Sequence, residues 1–153
     1  WRNPAISGYT ATQYDWGILV LPDRIGELTG WMGYVAKPAS SLGSLYHYNR
    51  GYPVCDANNS PSPSCVDGAL YGDTKECELS QYNFIANGWN RVVRTNCDMN
   101  GGHSGSALYH YHGPDSVPVV AAVAVWQHCT ICNPGDNFVN TAKRLTPSDI
   151  STI

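Results

Sequence analysis

Gly101-Gly102-His103-Ser104-Gly105-Ser106-Ala107-Leu108-Tyr109-His110-Tyr111-His112 is the stretch from which the rest of the chain is read. Its second half alternates in the manner of a strand and stops at a turn, Gly113-Pro114-Asp115. Its first half is a doubled glycine followed by a serine held between small residues. That composition leaves the backbone free to aim two N–H groups at one point beside a hydroxyl. A nucleophile next to a preformed hole for an oxyanion is what acyl transfer requires.

Outward from this stretch, strands dominate. Val117 to Trp126 is the strongest apolar run, too valine-rich and too short for a membrane helix. Upstream, Trp16-Gly17-Ile18-Leu19-Val20-Leu21 is a nearly continuous apolar run stopped by Pro22-Asp23, and it predicts a buried strand. A polar connector, Arg24 to Glu27, separates it from a second expected strand at Gly30–Val35. Ser44 to Asn49 alternates weakly, and Ala69–Tyr71 and Tyr82–Ala86 read as short strands. Asp56 to Ser64 is a loop by composition. Thr146-Pro147-Ser148-Asp149 has the marks of a helix start: a capping hydroxyl, proline at the first helical position and an acid in the first turn. Short strands at this spacing, with one closing helix, predict an all-β barrel or sandwich.

Composition agrees. Only 14% of the residues are charged, against roughly 25% in an average soluble domain, while glycine (15) and proline (10) are plentiful. Tyrosine (10) and tryptophan (5) far outnumber phenylalanine (2), so most aromatics keep a polar handle near water. A net charge of -3 without a basic run argues against nucleic acid and against an anionic membrane as partners. The six cysteines, Cys55, Cys65, Cys77, Cys97, Cys129 and Cys132, are even in number and predict disulfides and a secreted, extracellular setting. Short loops favour Cys55–Cys65, Cys77–Cys97 and Cys129–Cys132 among the possible pairings. Only the last pair has ligand-like spacing and no second pair faces it, so neither a metal nor another cofactor is expected. Asn58-Asn59-Ser60 is a glycosylation acceptor if the host is eukaryotic. The abrupt start at Trp1, with no signal peptide or span, reads as a processed product.

A serine at a loop-to-strand junction resembles the trypsin/chymotrypsin-like serine proteases. The nucleophile elbow of the α/β-hydrolases would need Gly-x-Ser-x-Gly running into a helix, and neither is present. Tyr14-Asp15-Trp16-Gly17-Ile18-Leu19 resembles the aspartate-bearing segment of the family. Thr29 to Tyr34, Gly51-Tyr52-Pro53, the serine loop from Asp98, and Asn137-Phe138 through Arg144 to Pro147 follow an order similar to its glutamyl endopeptidase branch.

The resemblance implies a double β-barrel. Residues 1–24 would end the first barrel and carry the catalytic Asp15. Residues 25–153 would form the second barrel with the serine loop and a short C-terminal helix. It implies Ser104 as nucleophile, the amides of Gly102 and Ser104 as oxyanion hole, and Asp15 as support for a histidine base. Asp98, Met99, Trp126 and His128 fall where the family binds the substrate side chain, without deciding between acidic and basic substrates.

The family's chain order puts the base before the aspartate, yet His47, His103, His110, His112 and His128 all follow Asp15. His110, His112 and His128 each read as a surface or half-buried residue rather than a base, and His103, adjacent to Ser104 in sequence, should point away from it. The expectation is therefore a secreted serine endopeptidase, present as the larger chain of a cleaved enzyme, whose base lies on an N-terminal partner of the same precursor. A catalytically inactive protease-like binding protein and a disulfide-rich, lectin-like domain using its Tyr/Trp-rich surface stand as the alternatives.

Overall fold

The computed structural model describes residues 12–55, 65–72, 75–81, 91–99, 101–126 and 140–153. Eight strands are present: β1 (Gly33–Tyr34), β2 (Tyr46–Gly51), β3 (Tyr71–Gly72), β4 (Cys77–Gln81), β5 (Val92–Thr95), β6 (Ala107–His112), β7 (Val117–Trp126) and β8 (Asn140–Arg144). The helices that lie wholly within the described residues are single turns: α1 (Gly26–Thr29), α2 (Ala39–Leu42) and α3 (Pro147–Ile150). The fold is mostly β, as expected.

Six of the strands close on themselves in the order β2-β4-β5-β8-β7-β6, with β6 returning to β2, and every pairing in the ring is antiparallel. Closure removes the free edges that an open sheet would expose. The two-residue strands lie outside the ring: β3 pairs with β2, and β1 runs parallel to β7. The interior is filled from all sides by Leu42, Leu79, Val93, Met99, Leu108, Ala121, Ala122, Ala124 and Ala142. The alanines let the narrow β7–β8 side close without crowding.

The β6–β7 hairpin forms as its sequence predicts, with Gly113 at φ 72° and Ser116 at φ 51° turning the chain. Two irregularities interrupt β7. Leu108 pairs with Ala122 but Tyr109 with Val120, which leaves Ala121 as an extra residue, and the Leu145 amide donates to its carbonyl. Ala124 pairs with Ala142 but Trp126 with Thr141, which leaves Val125 unpaired on the β8 side. Such bulges bend a strand and free its carbonyls for other partners.

The disulfides Cys55–Cys65 and Cys77–Cys97 are formed, with Cα–Cα separations of 5.5 and 4.9 Å. The second ties β4 to the segment leaving β5. The expected Cys129–Cys132 pair lies outside the described residues, as do Asn58, His128 and the expected strand at Tyr82–Ala86. The terminal helix is capped as expected: Thr146 accepts from the Asp149 amide, and the Asp149 carboxylate accepts from the Thr146 amide (2.8 Å) and hydroxyl (2.7 Å).

One local expectation fails. Residues 15–21 form no strand, and Leu19 and Val20 are 83% and 85% exposed. An apolar run makes a buried strand only where a neighbour supplies hydrogen bonds and a covering layer, and no described strand pairs with this one. The expected strand at Gly30–Val35 shrinks to β1, and the connector before it contains α1.

Candidate functional site

The loop 101–106 crosses one end of the barrel and is held on three sides. From the chain after β2, the Val54 amide donates to the Gly101 carbonyl at 2.7 Å. From the end of β7, Ala124 accepts from the Gly105 amide (2.8 Å) and donates to the Ser106 carbonyl (2.9 Å). From β2, buried Asn49 donates through Nδ2 to Ser106 Oγ (2.8 Å) and to the Ala107 carbonyl (3.1 Å). Inside the loop, the Ser106 amide donates to the His103 carbonyl at 2.9 Å. A short glycine-rich loop with this many anchors is preorganised.

Glycine is required at 102. Its φ is 95°, and a side-chain carbon there would lie 2.6 Å from the Tyr52 carbonyl oxygen. Gly105, at φ 87°, turns the chain back towards β6 with open space around it.

Ser104 is exposed, while His103 beside it is buried over Gly51, where even a methyl group would collide with the His103 ring. The side chains of residues 103 and 104 thus part, as the sequence implies, and burial lowers the His103 pKa. Ser104 Oγ donates to the Val125 carbonyl at 3.2 Å, its one hydrogen bond among the described residues. That carbonyl belongs to the bulged residue of β7, which is why it is turned to the serine. Among the described residues, the amides of Gly102 and Ser104 make no hydrogen bond. An exposed hydroxyl can attack a carbonyl carbon once a base takes its proton, and unpaired amides can then donate to the oxyanion.

Asp15 is also exposed, and among the described residues its carboxylate has no hydrogen bond or ion pair. Its neighbours fix where the segment runs. The Tyr14 ring lies 5.9 Å from Arg91 Cζ, before β5, and the Trp16 ring 5.7 Å from Lys143 Nζ on β8. No hydrogen bond joins Asp15 to Ser104. Of the residues expected to contact substrate, Asp98 is exposed, Met99 is buried in the barrel core, and Trp126 ends β7. Met99 follows Cys97, whose disulfide draws this segment inward.

The sequence reading missed Asn49 and Val125. Asn49 stands inside an alternating run, where a buried amide signals a fixed hydrogen-bonding duty, whereas a bulge at Val125 has no local sequence signature. His110, expected at the surface or half-buried, is buried, and so is His47. Among the described residues, no group of three or more His, Cys, Asp or Glu could hold a metal ion, and no helix is long and apolar enough to cross a membrane. No family model matches the chain, and no curated protein or solved structure matches it either.

Proposed function

We propose that the chain is the serine-bearing part of a secreted, trypsin-like serine endopeptidase, with Ser104 as nucleophile and the Gly102 and Ser104 amides as oxyanion hole. The observation that carries this reading is the anchored loop itself: an exposed hydroxyl beside two uncommitted amides, at the rim of a closed barrel. Ser104 would attack the scissile carbonyl as a histidine takes its proton; the C–N bond would then break, the histidine giving that proton to the leaving amine, and water would hydrolyse the acyl-enzyme.

The base is supplied by an N-terminal partner of the same precursor, which completes a first barrel against Trp16–Leu21. The exposure of Leu19 and Val20, which no described strand covers, supports this. By the resemblance, Asp98, Met99, Trp126 and His128 would contact the substrate side chain. The disulfides accord with an extracellular location.

A fluorophosphonate probe tests the reading. Labelling of Ser104 in the complex with the N-terminal partner, abolished by Ser104→Ala, is expected. No labelling of the intact complex would remove the proposal. It would favour the second reading, a protease-like binding protein, for which the hydrogen bond from Ser104 Oγ to the Val125 carbonyl speaks. In that case the serine is a structural tie.

A further inference from the structure

His47 on β2 and His110 on β6 meet inside the barrel, 0% and 2% exposed, with ring centroids 5.2 Å apart and ring planes at 71°. Among the described residues, none of their four ring nitrogens has a hydrogen-bond partner at normal geometry. Buried polar groups are nearly always satisfied, so two adjacent unsatisfied imidazoles ask for an explanation.

The surroundings decide what protonation would do. From the segment before α2, the charge that faces both rings is Lys37. From β6, His112 stands 6.3 Å from His110, ring to ring. From β4, the residue opposite His47 is Cys77, held in its disulfide, and from β7 the residue opposite His110 is Val119. α2 carries no ionisable side chain. Among the described residues the charge facing both rings is therefore the positive one of Lys37, and a proton placed on either ring meets no carboxylate there.

We propose that His47 and His110 form an acid-sensitive latch: neutral, they let β2 and β6 pack together, and protonated, they force this seam of the barrel apart. The consequence reaches the loop at 101–106. His47 and Asn49 are alternate inward residues of β2, and Asn49 holds Ser106, so parting the seam releases the loop. The latch stands on the barrel alone and is independent of any catalytic role for Ser104.

The sign follows from linkage. Burial, and then the neighbouring His110, lower the His47 pKa from 6.5 to about 4, against the opposing pull of the Leu45 backbone. Burial also lowers that of His110. The unfolded chain then binds more protons than the folded one below pH 6.5, and stability falls as pH drops from there towards 4. For His47 alone the folding equilibrium constant should fall about thirtyfold between pH 8 and pH 5, above the range where carboxylates titrate.

Urea unfolding of the chain at pH 8 and pH 5 tests this, with His47→Leu and His110→Leu beside the parent. The parent should lose about thirtyfold or more, and each variant should lose distinctly less. A parent constant that does not change, or a loss undiminished in folded variants, overturns the latch. Should a variant fail to fold, NMR of the parent decides: the assigned His47 ring signals should stay in their neutral positions down to pH 5, and those of His110 should titrate below the ordinary histidine value. Titration of both near pH 6.5 in the folded chain overturns it equally.

Discussion

Gly102 shows how one backbone position can set the whole serine loop. A β-carbon there would need a left-handed conformation and would run into the Tyr52 carbonyl. Gly102→Ala should therefore cost about 1–3 kcal/mol, and it should abolish probe labelling of Ser104 even where the barrel stays folded. Gly105→Ala provides the control. It has the same backbone strain in open space, so it should destabilise less. A second residue-scale case is Lys143. Its ammonium is fully buried and bonds the Asp149 carboxylate and the Arg144 carbonyl, beneath the Trp16 ring. Burial lowers the Lys143 pKa. Burial alone would raise Asp149, but Lys143 and the Thr146 hydroxyl and amide outweigh it and hold the carboxyl below its usual range. Stability from Asp149 is thus present above its unfolded value and lost as acid reaches its folded one. Asp149→Ala strands a buried cation and should cost about 3–5 kcal/mol by denaturant unfolding. Lys143→Met with Asp149→Leu should recover most of that loss.

At the scale of elements, β4 and β5 are joined by a disulfide whose cysteines are 20 residues apart. Cross-linking a loop of that length stabilises by roughly 3 kcal/mol, so Cys77→Ser with Cys97→Ser should lower the urea midpoint accordingly while the barrel still forms at neutral pH. The elements also divide by how far sequence foretells them. The β6–β7 hairpin and α3 were legible because their signals are local: alternation, a glycine turn, a threonine cap and a proline at the first helical position. α2 was missed although Pro38 and Gly43 bracket it, since one turn of helix leaves no periodicity to detect. Trp16–Leu21 was misread because an apolar run reports only that burial is favourable. Whether burial happens depends on a partner that the run does not encode. The serine loop was legible for the same local reason as the hairpin. Its anchors were not, because Asn49 and Val125 reach it from strands 50 or more and about 20 residues away.

On the scale of the whole molecule, the closed barrel and the strip beside it behave as two surfaces with different fates. The ring has no open edge, and its core is continuous from α2 to β8. Along the strip of chain before β1, Leu19, Val20, Leu28 and Trp31 are all more than 70% exposed. Because these side chains touch little, replacing them should leave the barrel's stability within about 0.5 kcal/mol. Their effect should appear in association instead. Light scattering at neutral pH should show the parent chain forming oligomers as concentration rises, and Leu19→Lys with Leu28→Lys should return it to a monomer. If the N-terminal partner uses the same strip, the double variant should also fail to take it up while keeping an unchanged unfolding curve. A variant that stays monomeric yet still binds the partner and gains labelling at Ser104 would put the partner's contact elsewhere on the barrel.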